Sequence, residues 1–213
     1  MKKITPNIFV GIDQAASSGW CIVAHGNVHT HGVAKGAQDI VTVVGTVLAL
    51  SGGNLERVLV CLEDHSDIPL GNRARFSARQ GAPTRNAATL LGMGDARGAW
   101  RHEFARSGHP ERLRMLVTSE DWRMGVLGVS NRRGTDALKD EAKRWAAARV
   151  GELVADDNEA EAIAIATWGS IHGLARLEGR RLGLRQKARV KREAGKQLGM
   201  PDFSRPKVLG REA

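Results

Sequence analysis

Acidic side chains stand at three places in the sequence where an apolar segment ends or begins. Asp13 ends the run at residues 7–13, Glu63 ends the run at 57–63, and an acidic stretch at 156–161 opens an apolar helix. Carboxylate oxygens are the ligands that Mg²⁺ prefers. Two such ions about 4 Å apart can activate a water molecule and stabilise the leaving oxygen of a phosphodiester. If folding brings these carboxylates together, they predict metal-dependent cleavage of a nucleic acid backbone.

The acidic stretch offers two arrangements of ligands on one helix face. Asp157 and Glu161 are four residues apart and Asn158 and Glu161 are three apart, so either pair shares a face. We favour Asp157 as the further ligand because a charged oxygen neutralises Mg²⁺ better than an amide does, and Asn158 is the alternative. Taken singly, each acidic residue is also typical of a turn or a helix N-cap. The order strand, strand, helix favours a joint site.

Hydrophobic periodicity predicts the elements that would bring these residues together. Strands are predicted at 7–13, 19–24, 28–33, 57–63 and 113–117, and helices at 40–50, 86–106, 135–153 and from 157 onward. The first two strands form a hairpin, whereas the fourth follows a helix and is expected to lie parallel to the first. Asp13 and Glu63 are therefore expected at the same edge of the sheet. The predicted fold class is α/β, a mixed five-stranded sheet flanked by helices.

Charge is unevenly distributed along the chain. The net charge is +9, and the excess lies in residues 72–114, with nine basic and three acidic side chains, and in 176–213, with twelve and four. Basic segments attract polyanions, whereas the acidic positions would repel phosphate unless a divalent cation neutralised them. The pattern indicates a nuclease domain over 1–175 and a basic C-terminal extension over 176–213. A solvated basic surface with a polar tail is the alternative.

The sequence also predicts the compartment. It contains no run of 18 apolar residues, and its first residues lack the apolar segment of a signal peptide. The two cysteines, Cys21 and Cys61, lie in strand-like runs, which is typical of thiols in a reducing environment. We therefore expect a cytoplasmic protein without a membrane span.

The motifs around the acidic residues resemble those of the RuvC family of Holliday junction resolvases, in the ribonuclease H-like superfamily. Residues 9–13, Phe-Val-Gly-Ile-Asp, and the following Gly19 are similar to the family's first strand. Residues 90–100 look like its Leu-Gly-x-Ala-Arg-Gly helix, and residues 158–166 resemble its last helix, most closely in bacteriophage-like members. The similarity extends from about residue 7 to 175. The resemblance implies that the protein acts in a bacterial cell or in a phage-infected host.

The resemblance implies a ribonuclease H-like fold in which Asp13, Glu63 and Glu161 bind Mg²⁺, with Mn²⁺ as a substitute, and one ion holds the attacking water. The products would be paired nicks with 5′-phosphate ends at a four-way junction. Two positions depart from the family pattern: Glu161 stands where Asp is usual, and Asn158 stands where many relatives have a metal-binding Asp or His. The fourth ligand, Asp157 or Asn158, is therefore open.

Basic residues beside the acidic ones are candidates for DNA contact. The segment 64–83 lacks periodicity and predicts a substrate-touching loop, whose arginines would bind phosphates and whose Phe76 would stack or wedge at the junction. Other basic residues resemble in placement those before the family's penultimate helix. The candidates are Arg73, Arg75, Phe76, Arg79, Arg85, Arg132, Arg133 and Lys139. Facing solvent or packing is the alternative for each, and Trp122 is expected to pack.

The resemblance implies branched DNA, a four-way junction, as the partner. Because a four-way junction has two-fold symmetry, a homodimer would make paired cuts most simply. The helix at 86–106, with Leu90, Leu91, Trp100 and Phe104, is the expected interface, and packing into the core is the alternative. Two other functions stay open: a ribonuclease H-like nuclease acting on flaps, forks or RNA–DNA hybrids, and a branched-DNA-binding protein without catalysis.

Overall fold

A five-stranded sheet forms the centre of the fold, with strands in the order β3-β2-β1-β4-β5. The computed structural model describes residues 5–64, 87–130 and 135–179, with backbone alone for 87–91 and 135. The chain divides between Leu174 and Ala175 into two units, of which the first contains this sheet. The strands are β1 (Ile8–Asp13), β2 (Ser18–Ala24), β3 (Asn27–Ala34), β4 (Val58–Asp64) and β5 (Arg114–Thr118).

The directions of the strands follow from their connections. β1, β2 and β3 are joined by short turns and pair antiparallel, whereas β1, β4 and β5 are joined through helices and pair in parallel. The register of β1 and β4 runs from Ile8 opposite Val58 to Ile12 opposite Leu62. Asp13 and Glu63 each come one residue after that last pair, at the same edge of the sheet.

The helices lie on the two faces of the sheet. Because side chains alternate along a strand, Ile8, Val10 and Ile12 of β1 share one face, where they pack with residues of the first helix and with Trp100 and Phe104 of the second. The helices of the described residues include α1 (Ala37–Ser51), α2 (Ala87–Arg106), α3 (Ser119–Trp122), α4 (Thr135–Val150) and α5 (Asp157–Trp168).

The opposite face of the sheet is covered by α5. This helix is buried at every position from Ala160 to Trp168, because it packs between the strands and α4. Four of those positions are alanines, whose short side chains let the helix lie close to its neighbours. The alanines alternate with Glu161, Ile163, Ile165 and Thr167, which are also buried.

The α/β class, the mixed five-stranded sheet and its flanking helices are confirmed. The helix predicted at 135–153 ends earlier, at Val150, because Gly151 adopts a left-handed φ of 81°. Sequence periodicity did not predict α3 or the π-helical turns Arg123–Leu127 and Gly169–Gly173. Beyond Asp64, the predicted substrate loop lies outside the described residues. No helix in the described ranges is long and apolar enough to cross a membrane.

Two aromatic residues of α2 that were candidates for a dimer interface lie inside the protomer. Trp100 and Phe104 are fully buried, and their rings stack with centroids 6.3 Å apart. Packing into the core, the alternative for these two side chains, is therefore what the structure shows. The side chains of Leu90 and Leu91 lie outside the described part of the chain, and the homodimer stays a prediction.

Candidate metal centre

Asp13 and Glu63 point toward the face of the sheet that α5 covers. Along β1, Asp13 alternates with the core residue Ile12, and along β4, Glu63 alternates with the core residue Leu62. Successive side chains of a strand point to opposite faces, so both carboxylates point away from the core that α1 and α2 cover. The alternation of side chains along each strand and the parallel register of β1 and β4 together place the two carboxylates side by side.

Two glycines let α5 approach the sheet without an intervening layer of side chains. A Cβ at Gly11 would fall well inside 3.0 Å of the carbonyl oxygen of Ala162, and a Cβ at Gly19 would fall well inside 3.0 Å of the carbonyl oxygen of Asn158. No larger residue fits either position unless the helix moves. The backbone of α5 therefore rests directly on β1 and β2, beside the end of β1.

The close approach of α5 brings a third carboxylate to the edge of the sheet. Asp13, Glu63 and Glu161 form a group, called here the acidic cluster, in which one oxygen of each lies within 4.8 Å of the others. All three side chains are buried, with residue exposures of 4%, 3% and 7%. Three buried oxygen donors at this spacing suit a hard divalent cation such as Mg²⁺.

Residues at the start of α3 hold the carboxylate of Glu63. The hydroxyl of Ser119 donates to Oε1 of Glu63 at 2.6 Å, and the indole Nε1 of Trp122 donates to the same oxygen at 3.2 Å. A reciprocal capping box between Thr118 and Asp121 fixes the helix that carries both donors. Trp122 is buried as predicted and also makes this polar contact, which no local sequence pattern indicates.

Gln14 holds the backbone of Glu63. The β1–β4 ladder ends at Ile12 opposite Leu62, and two residues later the side-chain Nε2 of Gln14 donates to the carbonyl oxygen of Glu63 at 2.9 Å. Gln14 is 1% exposed. Its side-chain amide therefore forms, in a buried position, a hydrogen bond that takes the place of one further backbone hydrogen bond between β1 and β4. This contact helps to fix Asp13 and Glu63 relative to one another.

The acidic cluster carries excess negative charge. Burial, and then the charge of Glu63, raise the pKa of Glu161 to about 7. Arg123 opposes this shift, because its Nη2 donates to Oε1 of Glu161 at 3.0 Å while its guanidinium lies 4.7 Å from the ring centroid of Trp122. A site that disfavours ionisation of its own carboxylate is stabilised by a cation, so the donor set and its electrostatics both fit a divalent ion.

The two candidates for a fourth ligand are engaged by other groups. The carboxylate of Asp157 forms ion pairs with Lys139 at 2.7 Å and with Lys143 at 2.5 Å. The side-chain Nδ2 of Asn158 donates to the carbonyl oxygen of Ser17 at 2.8 Å. Among the carboxylates that the structure describes, Asp157 is not part of the acidic cluster. The structure thus brings three of the predicted ligands together and places Asp157 beside them.

Of the predicted DNA-binding residues, the structure describes Lys139, which lies on α4 and contacts Asp157. The others lie outside the described residues, and their contact with DNA stays a prediction. They are Arg73, Arg75, Phe76, Arg79, Arg85, Arg132 and Arg133. Arg123 was not predicted, because its role depends on its position next to Glu161 across the fold rather than on a local motif.

Comparison with known proteins identifies the fold. No protein-family model matches the sequence, and no curated protein sequence matches it significantly. Two solved structures of Thermus thermophilus RuvC, one free and one in complex with a Holliday junction substrate, are similar to it in structure, each at 16% sequence identity. The matches cover 80% and 79% of this chain and 97% and 95% of those chains, with TM-scores of 0.54 and 0.53. The chain therefore has the ribonuclease H-like fold of RuvC, as predicted.

Proposed function

We propose that the protein is a divalent-metal-dependent endonuclease that resolves four-way DNA junctions by paired nicking and leaves 5′-phosphate ends. The observation that carries this proposal is the acidic cluster, in which buried carboxylates from β1, β4 and α5 converge within 4.8 Å. The likeness to RuvC supports the class of substrate, because one of those solved structures holds a Holliday junction. Hard oxygen ligands without thiolates favour Mg²⁺, or Mn²⁺ in its place.

Some residues of the site would bind the cation, and others orient a ligand of that cation. Asp13, Glu63 and Glu161 would hold the cation through their carboxylate oxygens. A divalent cation bound there supplies Lewis-acid activation and charge neutralisation for phosphodiester hydrolysis. Ser119 and Trp122 fix one oxygen of Glu63, so that this ligand is oriented before the cation and the DNA arrive.

The DNA surface would be formed by basic residues around the acidic cluster. We propose the predicted arginines, Phe76 and Lys139 as contacts to the junction, and the basic extension 176–213 as a source of affinity without sequence preference. A homodimer would present two acidic clusters to opposing strands of the junction. Each of these statements concerns binding and can fail without affecting the assignment of the acidic cluster.

The test is cleavage of end-labelled substrates by the full-length chain in Mg²⁺, Mn²⁺ or EDTA. Four-way junction, flap, fork, duplex and RNA–DNA hybrid are compared, and both strands of each product are mapped and tested for ligation, which requires a 5′-phosphate. We expect metal-dependent, symmetric, ligatable nicks in the junction. Asp13→Asn should abolish cutting and preserve binding, whereas Asp39→Asn, the same change at an exposed site on α1, should leave cutting intact.

Each other outcome selects a different function. Preference for a flap, a fork or a hybrid would keep the metal-dependent nuclease and discard junction resolution. Binding of the junction without cleavage in either metal would favour a branched-DNA-binding protein that has lost catalysis. Cutting by Asp13→Asn at the rate of the unmodified protein would remove the acidic cluster from the mechanism.

A further inference from the structure

Asp157 links α5, the helix that carries Glu161, to α4. Its Oδ2 contacts Nζ of Lys139 at 2.7 Å, and its Oδ1 contacts Nζ of Lys143 at 2.5 Å. The two lysines are one helical turn apart on α4, so they present their ammonium groups on the same side. Their side chains are 40% and 33% exposed, and that of Asp157 is 29% exposed, so the trio lies at a solvent-accessible rim.

This trio stands next to the acidic cluster. Asp157 lies one turn before Glu161 on α5, which places the anchored lysines beside the buried carboxylates. The pKa of Lys139 is raised, first by its hydrogen bond to Asp157 and further by negative charge that includes that of Glu161 and Asp13. The pKa of Asp157 is lowered by its hydrogen bonds to the two lysines. All three groups of the trio are therefore charged at neutral pH.

The charges and donors of the trio match a phosphate. Each ammonium group has three N–H donors, and contact with one oxygen of Asp157 leaves donors for a second acceptor. Two lysines and one aspartate carry a net charge of +1, which attracts an anion to a position where the acidic cluster alone would repel it. Both oxygens of Asp157 are occupied by lysine, so metal binding by this carboxylate would require breaking two ion pairs.

We propose that Asp157 is a positioning residue that holds Lys139 and Lys143 as a seat for a DNA backbone phosphate beside the acidic cluster, and that it is not a metal ligand. The proposal rests on the proposed function for the identity of the ligand as DNA. Sequence spacing favoured Asp157 as a metal ligand. In this proposal Asp157 instead helps to align the DNA strand.

Metal affinity separates the two roles of Asp157 directly. Mn²⁺ binding to the metal-free protein, followed by calorimetry, should be unchanged within about twofold in Asp157→Asn and weakened at least about tenfold in Glu161→Gln, which removes a ligand charge. A loss of Mn²⁺ affinity in Asp157→Asn as large as that in Glu161→Gln would overturn the proposal.

DNA binding tests the seat without requiring cleavage. Fluorescence anisotropy with a labelled four-way junction in EDTA, repeated over a range of salt concentrations, should give a salt slope that falls by about 0.9 in Lys139→Gln and likewise in Lys143→Gln. If Asp157 positions Lys139, then Lys139→Gln should reduce affinity less in an Asp157→Asn background than in the unmodified protein. An equal or larger reduction there would show that Asp157 merely competes for the lysine, which would overturn the proposal.

A matched variant separates the effect of removing a negative charge from the effect of releasing the two lysines. Asp140 is an exposed residue next to Lys139 on α4, and Asp140→Asn makes the same charge change without removing the anchor. Only Asp157→Asn should lower kcat at saturating DNA, by about tenfold, because the phosphate is no longer held in place. Equal kcat values for the two variants would count against the seat. A protein that cuts nothing would refute the proposed function, and the binding experiments would still decide the role of Asp157.

Discussion

Replacing Glu161 by Gln should stabilise the metal-free protein at alkaline pH while weakening its binding of a metal ion. Burial, and then the charge of Glu63, raise the pKa of Glu161 from 4.5 to about 7. A raised pKa in the folded state means that the fold holds this proton more tightly than the unfolded chain does. The stability from this group is therefore fully present below pH 4.5 and is lost as the pH rises through 7. Gln resembles the protonated acid but does not ionise, so Glu161→Gln keeps this stability as the pH rises.

The size of the effect follows from the gap between the two pKa values. A difference from 4.5 to about 7 is about 2.5 units, and each unit corresponds to about 1.4 kcal/mol, which gives about 3 kcal/mol at pH 8. The attraction of Arg123 is already part of that gap, because it acts on the same carboxylate. The order should reverse once Mg²⁺ reaches about 1,000 times its Kd, because binding then adds about 4.1 kcal/mol to the stability of the unmodified protein.

The assay is urea unfolding in EDTA between pH 5 and 9. The difference in free energy of unfolding between Glu161→Gln and the unmodified protein should be small at pH 5 and grow toward about 3 kcal/mol by pH 8. Glu111→Gln is the control, because its side chain is 79% exposed, and it should stay within about 0.5 kcal/mol of the unmodified protein. Equal stability of Glu161→Gln and the unmodified protein at pH 8 would refute the reasoning.

Three further predictions concern the elements around the acidic cluster. Gly11→Ala would force α5 away from the sheet; unfolding in urea should show a loss of at least about 2 kcal/mol, and Mn²⁺ calorimetry a loss of binding. His109, 2% exposed with its pKa lowered to about 4 mainly by burial, stays neutral in the fold. Its contribution of about 3 kcal/mol should be present above pH 6.5 and be lost as the pH falls toward 4, so the stability difference between His109→Gln and the unmodified protein should change over that range. Ser119→Ala removes a hydrogen bond to Glu63 and should weaken Mn²⁺ binding by about tenfold. The loss in free energy of unfolding should be only about 1 kcal/mol, because Trp122 still donates to the same oxygen. An unaltered Mn²⁺ affinity would show that this hydroxyl does not orient the ligand.

Local sequence patterns were sufficient for the fold and for the three members of the acidic cluster. Asp13 is the last residue of β1 and Glu63 the penultimate residue of β4, and the two strands are parallel because a helix lies between them in the chain. Glu161 follows from the helical pattern after residue 156, where Asp156 caps the helix through the amides of Asn158 and Glu159. These features depend on nearest neighbours in the chain, which is the range over which periodicity and capping act.

The groups that support the acidic cluster could not be predicted, because their contacts join distant parts of the chain. Ser119 and Trp122 reach Glu63 across 56 and 59 positions. The capping pattern of Thr118 and Asp121 is a local signal for α3, but it does not indicate which residue the helix faces. Likewise, helical spacing relates Asp157 to Glu161 without showing that α4 supplies two lysines to it.

The two faces of the sheet place different limits on how the sequence can change. On the face that α1 and α2 cover, side chains pack against side chains, and other apolar residues of similar total volume can replace them. At Gly11 and Gly19 the limit is set by backbone atoms, and no repacking can compensate for an added methyl group. Substitutions should therefore be tolerated more readily in the core that α1 and α2 cover, whereas the contacts of Gly11 and Gly19 with the backbone of α5 fix the separation of the carboxylates. An engineer seeking a more stable variant can therefore repack the core beneath α1 and α2 but has to keep Gly11 and Gly19.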